Sequence, residues 1–212
     1  MIPQRAAGGQ ARTRSGIGRD DSGAAALEFA LLAIPFFMLL MGIIEIGLYL
    51  VVNLNLSNAT AVAARKIRVG STVATGNATT QSNGATLSPA DFKASLCANM
   101  VILPLATCTA NVQLDLRTLT SYTNASIPNP VNGKSFSTTG FCYYSGVPGQ
   151  IVEIRSYYLW PVVTPLLWAT LSGITNSSIS GVSTAGHWLL ASATYVFVNE
   201  PNGSTINNGS SC

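Results

Sequence analysis

Hydrophobic positions along the chain form one long run, one periodic stripe and several short alternating segments, with polar stretches between them. The run covers residues 24–52 and carries only two charges, Glu28 and Glu45. As a helix it would be about 44 Å long at 1.5 Å per residue. A bilayer core needs about 20 residues, so the run predicts a transmembrane helix with length to spare. Beyond it, Val52, Leu56, Ala59, Ala63 and Ile67 recur at spacings of four, three, four and four. That is an apolar stripe on one helix face, and it extends the predicted helix to about residue 69, with Gly70 as its C′ residue. Residues 70–87 are dominated by Thr, Ser, Asn and Gly and read as a loop.

From residue 88 the periods shorten. Ser88 is an N-cap, Pro89 suits the first turn and Asp91 suits the dipole of a helix whose apolar face is Phe92, Leu96, Met100 and Leu103. Pro104 ends it. Residues 111–116 alternate, with Val112, Leu114 and Leu116 facing inward as a half-buried strand. Residues 121–150 read as a loop or short hairpin turning at Asn132-Gly133. Residues 151–159 and 188–198 are two further strands. Between them Pro161 and Pro165 bracket a turn into a short helix around residues 166–171. The expected fold is α+β: a long N-terminal transmembrane helix, residues 24–52 continuing to about 69, extended into a small exterior domain, residues 88–212, with an antiparallel sheet.

Charge sets the orientation. The leader, residues 1–23, holds Arg5, Arg12, Arg14 and Arg19 against Asp20 and Asp21, and the positive-inside rule places it in the cytoplasm. The exterior domain then lies in the periplasm or outside the cell. The apolar run is too long for a cleaved secretory signal, whose apolar part is about 7–15 residues. Pro35 falls inside the run, where it removes one backbone hydrogen bond and predicts a kink or a locally melted turn. All four cysteines, Cys97, Cys108, Cys142 and Cys212, lie after the run, and an even number on that side reads as two disulfides. Three connectivities are open. The local loop Cys97–Cys108, with Cys142–Cys212 stapling the tail, is the favoured one.

Several classes fall away. The net charge is +3 and only 9% of residues are charged, which leaves no basic field for nucleic acid. No C-x-x-C pair occurs and the one histidine, His187, is far in sequence from every cysteine, so no metal or cofactor is expected. No nucleophile motif or phosphate loop is present and no enzyme activity is expected, with His187 read as a surface or strand-end residue. The aromatic doublets Tyr143-Tyr144 and Tyr157-Tyr158, with Trp160, are read as sheet packing, the competing reading being a recognition patch. Glu45 is read as a carboxylate that reaches interfacial water. Glu28 is less easily explained. An acid in a membrane-length helix is a functional-site hypothesis, although a position only about 6 Å from a helix start at Ala24 would also allow snorkelling to the cytoplasmic interface.

The stretch Gly23, Ala24, Ala25, Ala26, Leu27, Glu28, Phe29 and Ala30, preceded by arginines, resembles a type IV prepilin signal. With Pro35, Gly42, Ile43, Glu45 and Gly47, and then Ala59, Ala63, Ala64 and Arg65, it resembles the TadE-like family of minor pilins, or pseudopilins, of tight-adherence (Flp) pilus systems. Tyr157, Pro161, Pro165 and the segment 191–200 are similar to weaker features of that family. The resemblance is good over residues 22 to about 70 and does not extend to residues 71–150 or to the cysteines. It implies cleavage between Gly23 and Ala24 by a prepilin peptidase. It also implies that Glu28, the fifth residue of the mature chain, pairs with the new amine of Ala24 on a neighbouring subunit. The implied partners are the peptidase, other pilin and pseudopilin subunits, the inner-membrane pilus assembly platform and the lipid bilayer. The implied location is a bacterial inner membrane, with passage to a pilus or the cell surface after assembly. The alternatives are an uncleaved signal-anchored binding protein and an adhesin.

Overall fold

The computed structural model describes residues 21–69, 89–123, 128–144, 146–179, 182 and 185–200. Two compact units result, Met1–Leu40 and Met41–Cys212. Helix α1 (Asp21–Arg68) supplies the described part of the first and the opening of the second.

In the first unit, side chains from Gly23 onward are almost all exposed, with Leu32 at 74% and Phe29 at 71%. Helical assignment runs through Pro35 without a break, so no melted turn forms. Proline deprives only one preceding carbonyl of its partner, and the apolar residues on either side have no alternative conformation that would satisfy their backbone groups without water.

The second unit is the α+β domain. Its part of α1 buries Val52, Leu56, Ala59, Ala63 and Ile67, the whole of the predicted stripe, and the buried face begins ten residues earlier, at Gly42 and Glu45. Helix α2 (Pro89–Ala98) and helix α3 (Leu105–Asn111) follow. Ser88, the predicted N-cap, lies outside the described residues. Phe92, Leu96 and Met100 are buried as the helical spacing predicts, and Leu103 packs against them. The predicted helix stops short of Pro104, at Ala98, and a helix that was not predicted, α3, begins after Pro104, where proline suits the start of a helix. The Cys97–Cys108 disulfide joins the two.

The strands are β1 (Gln113–Leu119), β2 (Val131–Asn132), β3 (Ser135–Phe136), β4 (Ile151–Pro161), β5 (Ile174–Ser177) and β6 (Ala185–Val198), in the order β1-β4-β6-β5-β3-β2. The turn Pro165–Leu167 and helix α4 (Trp168–Leu171) connect β4 to β5. The expected antiparallel sheet is mixed, because β3 runs parallel to β5. A hairpin presents one strand in each direction, and the strand of the β2–β3 hairpin that meets β5 runs with it. The hairpin turns where predicted, with Gly133 at φ 58°, a conformation glycine adopts without steric cost.

Both faces of the central strands are covered. On β4, Val152, Ile154 and Tyr158 join the core under α1, and Thr60 Oγ1 on α1 lies 2.5 Å from Ser156 Oγ. Tyr157 and Leu159 point the other way, into a second core with Phe136, Ile174, Ile179 and Trp188. Each large aliphatic side chain buried in these cores contributes about 1.5–3 kcal/mol.

Candidate assembly site on the amino-terminal helix

Gly23, Ala24 and Glu28 all lie in the first two turns of the described part of α1. Asp21 and Ser22 already belong to α1, so the Gly23–Ala24 bond sits within a helical turn. A methyl group built on Gly23 would meet nothing within 4 Å. The space is open, and a small residue there serves no packing within this chain. Ala24 and Glu28 are four apart and share a face. Glu28 is exposed and stands as an acid on an apolar rod, with no ion-pair partner among the described residues.

Glu45 behaves differently. It is buried to 7% exposure, and its two carboxylate oxygens accept the backbone N–H groups of Val163 at 2.5 Å and Thr164 at 3.0 Å. The expectation that it reaches interfacial water is corrected: the chain after β4 supplies the donors, and two charge-assisted bonds hold the carboxylate inside the protein. Gly42, one turn earlier, leaves room for Leu167, whose Cδ1 would stand 3.5 Å from a built Cβ. Gly47, by contrast, has open space beside it.

The remaining predicted positions lie within the domain. Cys97 and Cys108 are bonded as favoured. No described cysteine is a free thiol, and Cys212, the expected partner of Cys142, lies outside the described residues. Tyr157 and Tyr158 are buried on opposite faces, Trp160 is half-buried, and Phe92 meets the Tyr143 ring edge-on at 6.2 Å, so this aromatic set is packing material. His187 stacks on Trp168 at 4.5 Å and lies 3.3 Å from Ser172 Oγ.

A group that sequence reasoning missed is buried between β1 and β4. Asp115, fully buried, accepts hydrogen bonds from Arg117 at 2.6 Å, Arg155 at 2.5 Å and the Cys142 backbone N–H at 3.0 Å. Both arginines also donate to carbonyls, Arg117 to Gly140 and Arg155 to Pro128. Glu153, opposite Arg117 in the register, is buried with Oε2 unpaired. Burial pushes its acid up from the ordinary value, with Arg155 opposing and Asp115 adding to the rise. The signal was the i, i+2 spacing of Asp115 with Arg117 and of Glu153 with Arg155, two like-spaced charged pairs in segments otherwise apolar. These contacts fasten Pro128 and Gly140 to the sheet. Among the described residues no cluster of His, Cys, Asp and Glu is suited to a metal ion.

Among the described residues one helix is long and apolar enough to cross a membrane, with mean hydropathy 2.4, and it leads into an α+β domain, which defines the class: a membrane-anchored protein with an N-terminal apolar helix. Residues 23–65 match the family model described as TadE-like protein. The matched stretch opens on Gly23, contains Glu28, Pro35 and Glu45, and stops before the sheet, so the family likeness resides in the helix. It supports a Tad pilus-associated protein. No curated protein and no solved structure matches the chain.

Proposed function

We propose that the protein is a minor pilin or pseudopilin of a Tad/Flp-type pilus. Prepilin peptidase cleaves it between Gly23 and Ala24, and it assembles with other pilin subunits through its amino-terminal helix from the bacterial inner membrane. The leader faces the cytoplasm and the domain the periplasm. The observation that carries this reading is the family match over residues 23–65, beginning at the glycine of the proposed cleavage bond on an exposed helix with an unpaired acid one turn further on. The acid explains itself chemically in an assembly. A carboxylate within a packed bundle is tolerable when an opposite charge meets it, and cleavage creates an ammonium at Ala24 that a neighbouring subunit can present. The exposed apolar side chains around it exchange lipid for subunit contacts, so withdrawal from the membrane need not expose them to water.

Mass spectrometry of the native protein, with and without the peptidase, tests the first step. An N-terminus at Ala24 only when the peptidase is present is expected. A chain that keeps its leader in both backgrounds identifies an uncleaved anchored protein instead. Glu28→Gln tests the second step: insertion and cleavage persist, while filaments are lost or strongly reduced. Normal filament numbers from that variant would overturn the pairing role.

A further inference from the structure

Residues 161–171, Pro-Val-Val-Thr-Pro-Leu-Leu-Trp-Ala-Thr-Leu, contain no charge. Although they belong to the folded domain, they present apolar surface outward: Val163 is 72% exposed, Trp168 39%, and Pro161 and Pro165 are exposed as well. Val163 at that exposure is poorly suited to water. The same residues grip α1 at Glu45 and Gly42, where the neighbouring α1 side chains Met41, Ile43, Ile44 and Ile46 are themselves exposed and apolar. The segment therefore extends a greasy surface that the helix has already begun.

Its backbone is prepared for a medium poor in water. The N–H groups of Val163 and Thr164 go to Glu45, the N–H of Val162 to His187 O, and the N–H of Leu167 to Thr164 O. The carbonyl of Val162 accepts from the Trp168 indole at 2.9 Å, and the carbonyl of Trp168 accepts from Ser172 Oγ. Polar backbone groups near lipid must find such internal partners, whereas an exposed loop in water has no need of them. Length agrees. Residues 24–41 alone make a helix of about 27 Å, close to a hydrocarbon core of about 30 Å. A bilayer placed on them brings Gly42 and Glu45, and the segment attached there, to its boundary, the depth at which tryptophan is enriched.

We propose that residues 161–171 are an interfacial foot, resting in the headgroup region of the bilayer on the domain's side, and that the lipid-facing part of α1 ends at Gly42–Glu45 rather than at Val52. This rests on the reading of α1 as a membrane span. The foot makes Glu45 intelligible: its two backbone donors fix the foot to the helix at the depth where a carboxylate would otherwise draw the helix toward water.

The full chain in vesicles of phosphatidylethanolamine and phosphatidylglycerol, doped with lipids brominated high or low on the acyl chain, tests it through tryptophan quenching. Trp168 is read as the difference between the wild type and Trp168→Phe. Phe37→Trp, made in the Trp168→Phe background, marks the helix. The expected result is that the Trp168 emission is lost mainly to the shallow bromolipid and the Phe37→Trp emission mainly to the deep one. If Phe37→Trp is quenched by lipid while Trp168 responds only to aqueous iodide, the span stands and the foot falls. If Trp168 is shielded from both quenchers, another copy or subunit covers it and the proposal is overturned. If Phe37→Trp escapes lipid quenching, the span itself falls and the foot with it. Val163→Asp supplies a second arm: its exposed site leaves the domain's melting in detergent unchanged, and the shallow quenching of Trp168 decreases.

Discussion

The two portions of α1 are built from similar residues and live in different surroundings. Up to Leu40 the side chains are exposed almost without exception, while from Met41 one face is buried, at Gly42 and Glu45 and then from Val52 to Ile67, and the opposite face is not. Hydropathy alone does not separate them, because Leu32 and Leu56 are the same residue at 74% and 0% exposure. The spacing of small residues does. Gly42, Ala59, Ala63 and Ala64 fall on the buried face and let the sheet approach, while the earlier portion is apolar all round, as a helix in lipid or in a bundle must be. The acids follow the same division: Glu45 is satisfied inside its own domain, and Glu28 is exposed and forms no ion pair among the described residues.

The largest effect expected on that contrast is at the cleavage bond. If the proposed processing holds, Gly23→Leu should abolish it, seen as retention of the leader by mass spectrometry, because peptidase recognition would need a small residue there. Processing at the normal rate would reject the assignment, and packing within the chain cannot be blamed, since space beside Gly23 is open. Next comes a matched leucine pair. Leu56→Ala should lower the unfolding free energy of the domain by about 2–5 kcal/mol through lost burial and a residual cavity. Leu32→Ala should leave denaturant unfolding in detergent unchanged. Equal effects from the two would erase the distinction between the portions of the helix.

Most of α1 was legible in the sequence because its signals are local: an apolar run with only Glu28 and Glu45 charged, a stripe at helical spacing and a leader rich in arginine. Three of the strands and the turn at Asn132-Gly133 were legible for the same reason. What escaped was non-local. Asp115 alternates with Leu114 and Leu116, so a one-sided strand places it in water. Only the arrival of residues 128–142 over that face buries it, and no period in β1 announces a covering segment from elsewhere in the chain. Strand β5, four residues long with three of them polar, is held by its neighbours rather than by its own pattern. Glu45 was misjudged because its donors, the N–H groups of Val163 and Thr164, are more than a hundred residues away.

Smaller effects sharpen the same division. The Cys97–Cys108 bridge closes a loop with a separation of 11 residues. Replacing both cysteines by Ser should cost about 2–3 kcal/mol, near the lower part of the range for a short loop, measured by denaturant unfolding. It should leave cleavage at Gly23 untouched. Glu45→Ala strips the partners from two backbone N–H groups and should cost about 1–3 kcal/mol. Glu28→Ala, the same change 17 residues earlier on the helix, should cost the domain nothing. A Glu28 variant that destabilised the domain would place that acid inside the fold rather than at its assembly surface.

The finest test uses pH. Burial raises the Glu153 acid above its ordinary value of 4.5, chiefly by desolvation, with Arg155 pulling it down and Asp115 pushing it up. Its folded form therefore holds a proton that its unfolded form has released over the window just above that ordinary value. The unfolded state binds fewer protons there, so this residue's contribution to stability declines as pH rises through the window. Glu153→Gln removes the titration while keeping shape and hydrogen-bonding capacity. Subtracting the variant's stability from that of the wild type should thus give a curve flat below the window, falling through it and flat above. A difference curve that rose with pH would mean that Arg155 and Arg117 outweigh desolvation, and that the buried network holds Glu153 as an ion.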